Sequence, residues 1–303
     1  MAFGDRLGDT HPLPLVVALA LHTLSLIVRA RVWRSILRSA FPARSITTAG
    51  TFWAYAAGVG ANAIAPFRSG DLVRIYAIRR MLPGVSVATI VSTLLAETMF
   101  GLVIVIGLAG WALSSGGVPP LVSLPDAKAF EFGFYARHPL LIAAALLIFI
   151  ALGLVGLRIA EHRVRALSQQ VADGFRVIRP PSAFIKTVAL PQLADWALRA
   201  ATAYALLSAF GINASLHAAV LVLVVDSVAT ALPFTPGGAG AQQALLAFAL
   251  SGLANQPQIL AFSIGQQAAI TLANIVLGVV ALLRVFGHVR IRRLRHEAAA
   301  PPA

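Results

Sequence analysis

Apolar residues in this chain fall into long runs, and the polar positions that interrupt them are few and clustered. Leu13 to Val28 is apolar and continues to Ile36 through Arg29, Arg31 and Arg34. As a helix this stretch is long enough to cross a bilayer, for which about 20 residues suffice. Thr47 to Ala65 is a second run, and it ends in a segment broken by Pro66 and Gly70. Val85 to Leu113 is a third and carries one acid, Glu97. Pro139–Leu157, Val188–Phe210, Leu216–Leu232, Ala244–Leu253 and Ile259–Phe286 follow, with a second break of prolines and glycines between Thr230 and Gln243. The pattern predicts an all-α, polytopic membrane helix bundle of about 6–8 membrane helices.

The basic residues refine that layout, because cytoplasmic loops carry an excess of Lys and Arg. Arg29, Arg31, Arg34, Arg38 and Arg44 place the end of the first helix in the cytoplasm. A full crossing by 47–65 would put Arg68, Arg74, Arg79 and Arg80 outside. A re-entrant pair removes the conflict, running in along 47–65, breaking near Pro66 and returning along 69–82. The Pro233–Gly240 break between 216–232 and 244–253 predicts a second such pair. Irregular backbone at membrane depth is tolerated only where protein or a water-filled cavity surrounds it. Each half then holds a spanning helix, a broken pair and another spanning helix. Such a layout is compatible with an inverted repeat of the kind found in secondary transporters. Pro139–Leu157 has no counterpart in the second half. The whole chain is expected to form a single transmembrane domain. Its parts are a first half (1–158), a cytoplasmic basic linker (159–183), a second half (184–286) and a basic cytoplasmic tail (287–303). Within the linker, Val164, Leu167, Val171 and Phe175 recur at helical spacing, as expected of a segment lying along the interface.

Composition agrees. Of 303 residues, 58% are hydrophobic and 12% charged, where a soluble domain carries about 25% charged. The net charge of +13 does not indicate nucleic acid, since the cations lie beside apolar runs, where they attract anionic lipid. The absence of cysteine excludes disulfides, thiol catalysis and Cys-type metal sites. Met1–Pro14 lacks a basic n-region, so no cleavable signal peptide is expected. No His/acid cluster has metal spacing, and Gly-x-Ser-x-Gly and Walker-type loops are absent, so the expectation is a non-enzymatic protein without cofactor or metal.

The two breaks carry the candidate chemistry. Gly237, Gly238 and Gly240 permit close backbone approach and positive φ. The helix N-terminus behind them offers free N–H groups and a positive dipole end to an anion. Arg68 and Arg74 suit a phosphate through the forked guanidinium. Asp71 is placed to hold either arginine or to bind a substrate amine. Plainer readings stand beside these. Pro-Gly-Gly is often only a tight turn, and Arg68, Arg79 and Arg80 also suit interfacial anchors. Glu97 and Asp226 are acids at membrane depth, which are costly and usually face a partner or a cavity; Glu97 also suits neutralising an arginine of the first break. His22 is read as a helix–helix hydrogen bond. Asp195 and Arg199, four residues apart, are read as a structural pair on one helix face.

Asn62-Ala-Ile-Ala-Pro-Phe-Arg-Ser-Gly-Asp-Leu-Val-Arg74 and Pro236-Gly-Gly-Ala-Gly-Ala-Gln-Gln243 together resemble the two signatures of a known family. It is the transmembrane region of lysylphosphatidylglycerol synthases and their free-standing, flippase-like relatives. The resemblance spans nearly the whole chain in length and helix order. The signatures make Asn62, Pro66, Arg68, Gly70, Asp71, Arg74, Pro236, Gly237, Gly238, Gly240 and Gln243 candidate headgroup contacts, and the two acids at membrane depth, Glu97 and Asp226, join them on their own chemistry. The family's acid at the end of the second signature is Gln243 here, so this tip is expected to act through backbone N–H groups rather than a carboxylate. With only 287–303 beyond the last run, no aminoacyl-transferring domain is expected. The implied function is translocation of a phospholipid or a polyprenyl-phosphate-linked lipid in the plasma (cytoplasmic or inner) membrane. The partners are then membrane lipids, through an anionic headgroup or lipid phosphate; nucleic acid is not one, and a homo-oligomer stays open. The competing reading is a non-transporting membrane subunit that scaffolds a lipid- or glycan-modifying enzyme.

Overall fold

Every apolar run that can be followed becomes a helix, because in lipid a helix satisfies its own backbone groups. The computed structural model describes residues 11–65, 69–114, 169, 172–179, 181–231 and 240–298. Among these there are nine α-helices and no strand: α1 (Pro12–Ala40), α2 (Thr48–Ile64), α3 (Ser69–Met81), α4 (Val87–Ser114), α5 (Pro181–Phe184), α6 (Leu190–Ala209), α7 (Leu216–Ala231), α8 (Ala241–Ala249) and α9 (Gln256–Ala298). Helices α1, α4 and α9 are each long and apolar enough to span a membrane. Their outer faces expose Leu13, Val16 and Val17, then Leu102, Val103 and Ile106, then Leu272, Val276 and Leu283. That apolar exterior suits lipid rather than water.

The expected runs are recovered with three differences. Helix α8 begins at Ala241 and stops at Ala249, earlier at both ends than the expected 244–253. Helix α9 starts at Gln256 rather than 259 and continues past 286 to Ala298. A π-helical turn, Ile185–Ala189, joins α5 to α6, so the sixth span starts before 188. Pro191 follows that turn; it has no N–H to give residue 187, and its ring crowds that carbonyl, which favours a local widening. Residues 115–138, Pro139–Leu157 and most of the basic linker, including Val164, Leu167 and Val171, lie outside the described residues, as do 66–68 and 232–239 at the breaks.

Both broken runs form helical hairpins. Thr47 caps α2, its Oγ1 accepting from the Gly50 N–H at 3.1 Å. Helix α3 runs back along α2, with Gly50 near Met81 at one end and Gly58 against Gly70 and Arg74 further along. The contact at Gly70 is between backbones: a Cβ there would lie 1.9 Å from the Gly58 carbonyl oxygen. Helix α8 packs back on α7 in the same way, Leu246 and Leu250 sharing a buried cluster with Ala218, Ala219 and Val222.

The two halves repeat this order. Exchanging α1 for α6, α2 for α7, α3 for α8 and α4 for α9 preserves the helix pairings except that of α1 with α9. Helix α1 packs on α6, α2 on α9 as α7 on α4, α1 on α2 as α6 on α7, and α3 on α4 as α8 on α9. At the α2/α9 crossing Gly60 meets Gly278, where a Cβ on either would come within 2.5 Å of the other's Cα. Small residues permit such an approach where lipid supplies no hydrophobic drive to bring helices together. Ala56, Ala57 and Ala281 continue the seam.

Candidate functional site

All the described helices except α5 contribute to a cavity of about 450 Å³ inside the bundle. That volume lies within the usual range for small-ligand sites, roughly 300–1,000 Å³. Its walls carry three arginines, Arg29, Arg74 and Arg199, and four carboxylates, Asp71, Glu97, Asp195 and Asp226. Charges at membrane depth need a partner or water, and most of these can be traced to one.

Arg74 anchors the first-half side. Gly58 leaves a slot through which its side chain passes; a Cβ there would sit 2.6 Å from Arg74 Cγ. Its Nη1 lies 3.7 Å from Glu97 and 3.7 Å from Asp71. The guanidinium also rests 3.7 Å from the centre of the Tyr55 ring, a cation–π contact in a dry setting. The Tyr55 hydroxyl donates to Glu97 Oε1 at 3.0 Å. Trp33 meets the Tyr55 ring edge-on and donates its Nε1–H to Thr93 Oγ1 at 3.1 Å. Glu97 therefore neutralises an arginine of the first break, one of the two roles the sequence offered.

The second-half side differs. Asp226 accepts from Gln242 Nε2 at 2.7 Å and from Gln266 Nε2 at 2.8 Å, two neutral donors rather than a cation. Asp195 is 1% exposed. It accepts a 2.5 Å hydrogen bond from Ser25 Oγ and lies 3.9 Å from Arg29 Nε. This corrects the expected Asp195–Arg199 pair: the carboxylate turns across to α1, where a hydroxyl and a guanidinium meet it together. Arg199 instead lies over the Trp196 ring, 4.1 Å from its centre, and makes no hydrogen bond or ion pair among the described residues.

The glycines at the hairpin tips serve as helix starts. The Gly70 N–H donates to Asn62 Oδ1 at 2.7 Å, and the Gly240 N–H donates to Gln243 Oε1 at 2.6 Å. Gly240 has φ +85°, a conformation other residues adopt only with strain. The Gln243 amide also donates to Gln267 on the cavity wall. Expected to leave the backbone free for an anion, Gln243 itself occupies the Gly240 N–H.

The structure thus brings Asn62, Asp71, Arg74, Glu97 and Asp226 into one cavity. Gly70, Gly240 and Gln243 sit behind it as caps. Pro66, Arg68, Pro236, Gly237 and Gly238 lie outside the described residues. Among the described residues no group of three His, Cys, Asp or Glu is placed to hold a metal ion. Residues not singled out include Ser25 and Arg29 on α1, Gln192 and Trp196 on α6, and Gln242 and Gln266. A signal for α6 was present: Gln192, Asp195, Trp196, Arg199 and Thr202 recur at helical spacing, a polar stripe on an otherwise apolar helix.

His22 Nε2 and Asn274 Oδ1 are 2.8 Å apart, tying α1 to α9 at the cavity wall, as the sequence suggested. Hydrogen bonds between membrane helices average about 0.6 kcal/mol and reach about 1.7. A double-mutant cycle of His22→Ala and Asn274→Ala, read by unfolding in mixed micelles, is expected to give a coupling in that range. Zero coupling would reduce the contact to mere proximity.

Comparison with known proteins adds two findings. The family model for the lysylphosphatidylglycerol synthase TM region matches residues 2–278. The chain is also 24% identical, over 290 aligned residues, to "Glycosyltransferase AglD" of Haloferax volcanii; the match covers 82% of this chain and 45% of that one, so less than half of the relative is represented.

Proposed function

This chain belongs to the lysylphosphatidylglycerol synthase transmembrane-region family, and we propose that it moves a phosphate-bearing lipid headgroup across the membrane, the lipid being a phospholipid or a polyprenyl phosphate. The observation that carries this reading is the charged cavity, walled by both halves and enclosed in a bundle with an apolar exterior. A headgroup inside it exchanges water for arginines, amides and hydroxyls while the tails stay in lipid. The two hairpins are read as re-entrant, and the exchange of halves as an inverted repeat. The arginines from Arg284 to Arg295 favour a cytoplasmic C-terminus, and the membrane is read as the plasma membrane. The protein is read as non-enzymatic, with energy from an ion gradient or none.

The test uses phosphatidylcholine vesicles holding the full chain and a trace of acyl-labelled phosphatidylglycerol, with dithionite bleaching of the outer leaflet. Wild type is expected to expose the inner-leaflet label. Arg68→Ala and Asp71→Ala are each expected to slow this about tenfold, as for ~1.4 kcal/mol of lost headgroup interaction. Wild type no faster than empty vesicles would remove the transport reading. Unchanged rates in both variants would remove the first break from the site.

The relative's name supports a second reading. A membrane module that presents a lipid-linked substrate to a glycan-modifying enzyme also needs a headgroup cavity, but would bind lipid in these vesicles without moving it.

A further inference from the structure

We propose that Arg199, laid on the face of Trp196, is the docking point for the headgroup phosphate. The inference rests on the reading that the cavity receives a phosphate-bearing lipid.

The charges of the cavity separate into satisfied and unsatisfied sets. Arg74 has Glu97, Asp71 and the Tyr55 ring. Arg29 has Asp195, and its guanidinium lies 5.3 Å from the centre of the same tyrosine ring. Arg199 rests on the Trp196 ring and makes no hydrogen bond or ion pair among the described residues; Asp195 and Asp226 act on it only through space. The two acids it might use are engaged elsewhere, Asp195 by Ser25 and Arg29, and Asp226 by Gln242 and Gln266. A cation at membrane depth without a direct ion pair is costly, and here it faces a cavity able to admit an anion.

The donor inventory points the same way. Guanidinium groups donate and never accept. Trp196 is 6% exposed, and its Nε1–H finds no acceptor among the described residues. This corner of α6 is therefore short of acceptor oxygens. A lipid phosphate supplies them with negative charge, and the flat guanidinium, held on the indole, is preset for a two-pronged contact. Arg199 also comes from the second half, whereas Arg74 comes from the first. A phosphate seated there lies between the halves rather than at one tip.

The experiment measures binding of dihexanoyl phosphatidic acid to the purified full chain by Trp fluorescence, with dihexanoylglycerol as the uncharged comparison. Arg199→Gln is expected to weaken phosphatidic acid binding about tenfold to a hundredfold, the usual worth of charge-assisted hydrogen bonds, and to leave dihexanoylglycerol unaffected. Arg199→Lys keeps the charge but loses the fork and is expected to fall between. It also serves if Arg199→Gln does not fold. Wild-type affinity in either folded variant, or equal losses for both ligands, overturns the proposal. The vesicle assay separates the two readings. Normal lipid movement with wild-type phosphatidic acid affinity in Arg199→Gln leaves transport standing and removes this site. Arg199-dependent binding by a wild type that moves no lipid keeps the site and removes transport.

Discussion

Alanine at Gly70 is expected to break the first hairpin, with a loss of stability above about 3 kcal/mol. Overpacking a core usually costs about 1–3 kcal/mol because side chains can shift to make room. Here the added methyl would lie 1.9 Å from the Gly58 carbonyl oxygen and 2.7 Å from the side chain of Asn62. A carbonyl in a helix cannot rotate away, so α2 and α3 must separate. Separation also draws the Gly70 N–H from Asn62 and shifts Arg74, which passes beside Gly58. Unfolding in mixed micelles measures the loss, and Gly107→Ala is the control, since among the described residues nothing lies within 4 Å of its added Cβ. Alanine is the better helix former, so the control should show no loss. A Gly70→Ala protein as stable as wild type would mean that the hairpin does not pack as described.

Arg74→Met is the second large effect. It removes the cation between Glu97 and Asp71 while keeping much of the side-chain volume. Deleting one member of a buried ion pair typically costs about 3–5 kcal/mol, because the other charge stays buried alone. Glu97 is 7% exposed and, among the described residues, keeps only the Tyr55 hydroxyl, so the loss should sit in that range. Adding Glu97→Gln should recover part of it, the amide keeping an acceptor for Tyr55 without the stranded charge. If the double variant is less stable than Arg74→Met alone, the carboxylate is held by something other than this arginine.

The helices were legible because lipid leaves few options: long apolar runs must be helical, and prolines and glycines must end them. Boundaries slipped where polar residues are themselves helical. Gln242 and Gln243 look like the end of a loop, yet they form the first turn of α8, since Gln243 caps Gly240. The cavity was half legible. Acids in apolar runs announce themselves, so Glu97 and Asp226 were found. The arginine beside Glu97 was legible too, but the partners of Asp195 and Asp226 were not, because their contacts with Ser25 and Gln266 join distant segments. Local spacing suggested Arg199 for Asp195. The fold overruled it by bringing Ser25 and Arg29 across from α1.

The traded helix pairings bear on how the protein is made. Neither half closes on itself, since α1 rests on α6 and α2 on α9. Ser25 is synthesised 170 residues before Asp195, and His22 252 residues before Asn274. At about 5–20 residues per second, the ribosome needs on the order of ten seconds or more to deliver each partner. For that interval Arg29 sits in the nascent membrane segment without its carboxylate. A charge unpaired at membrane depth is costly, so α1 gains its settled place only once α6 arrives.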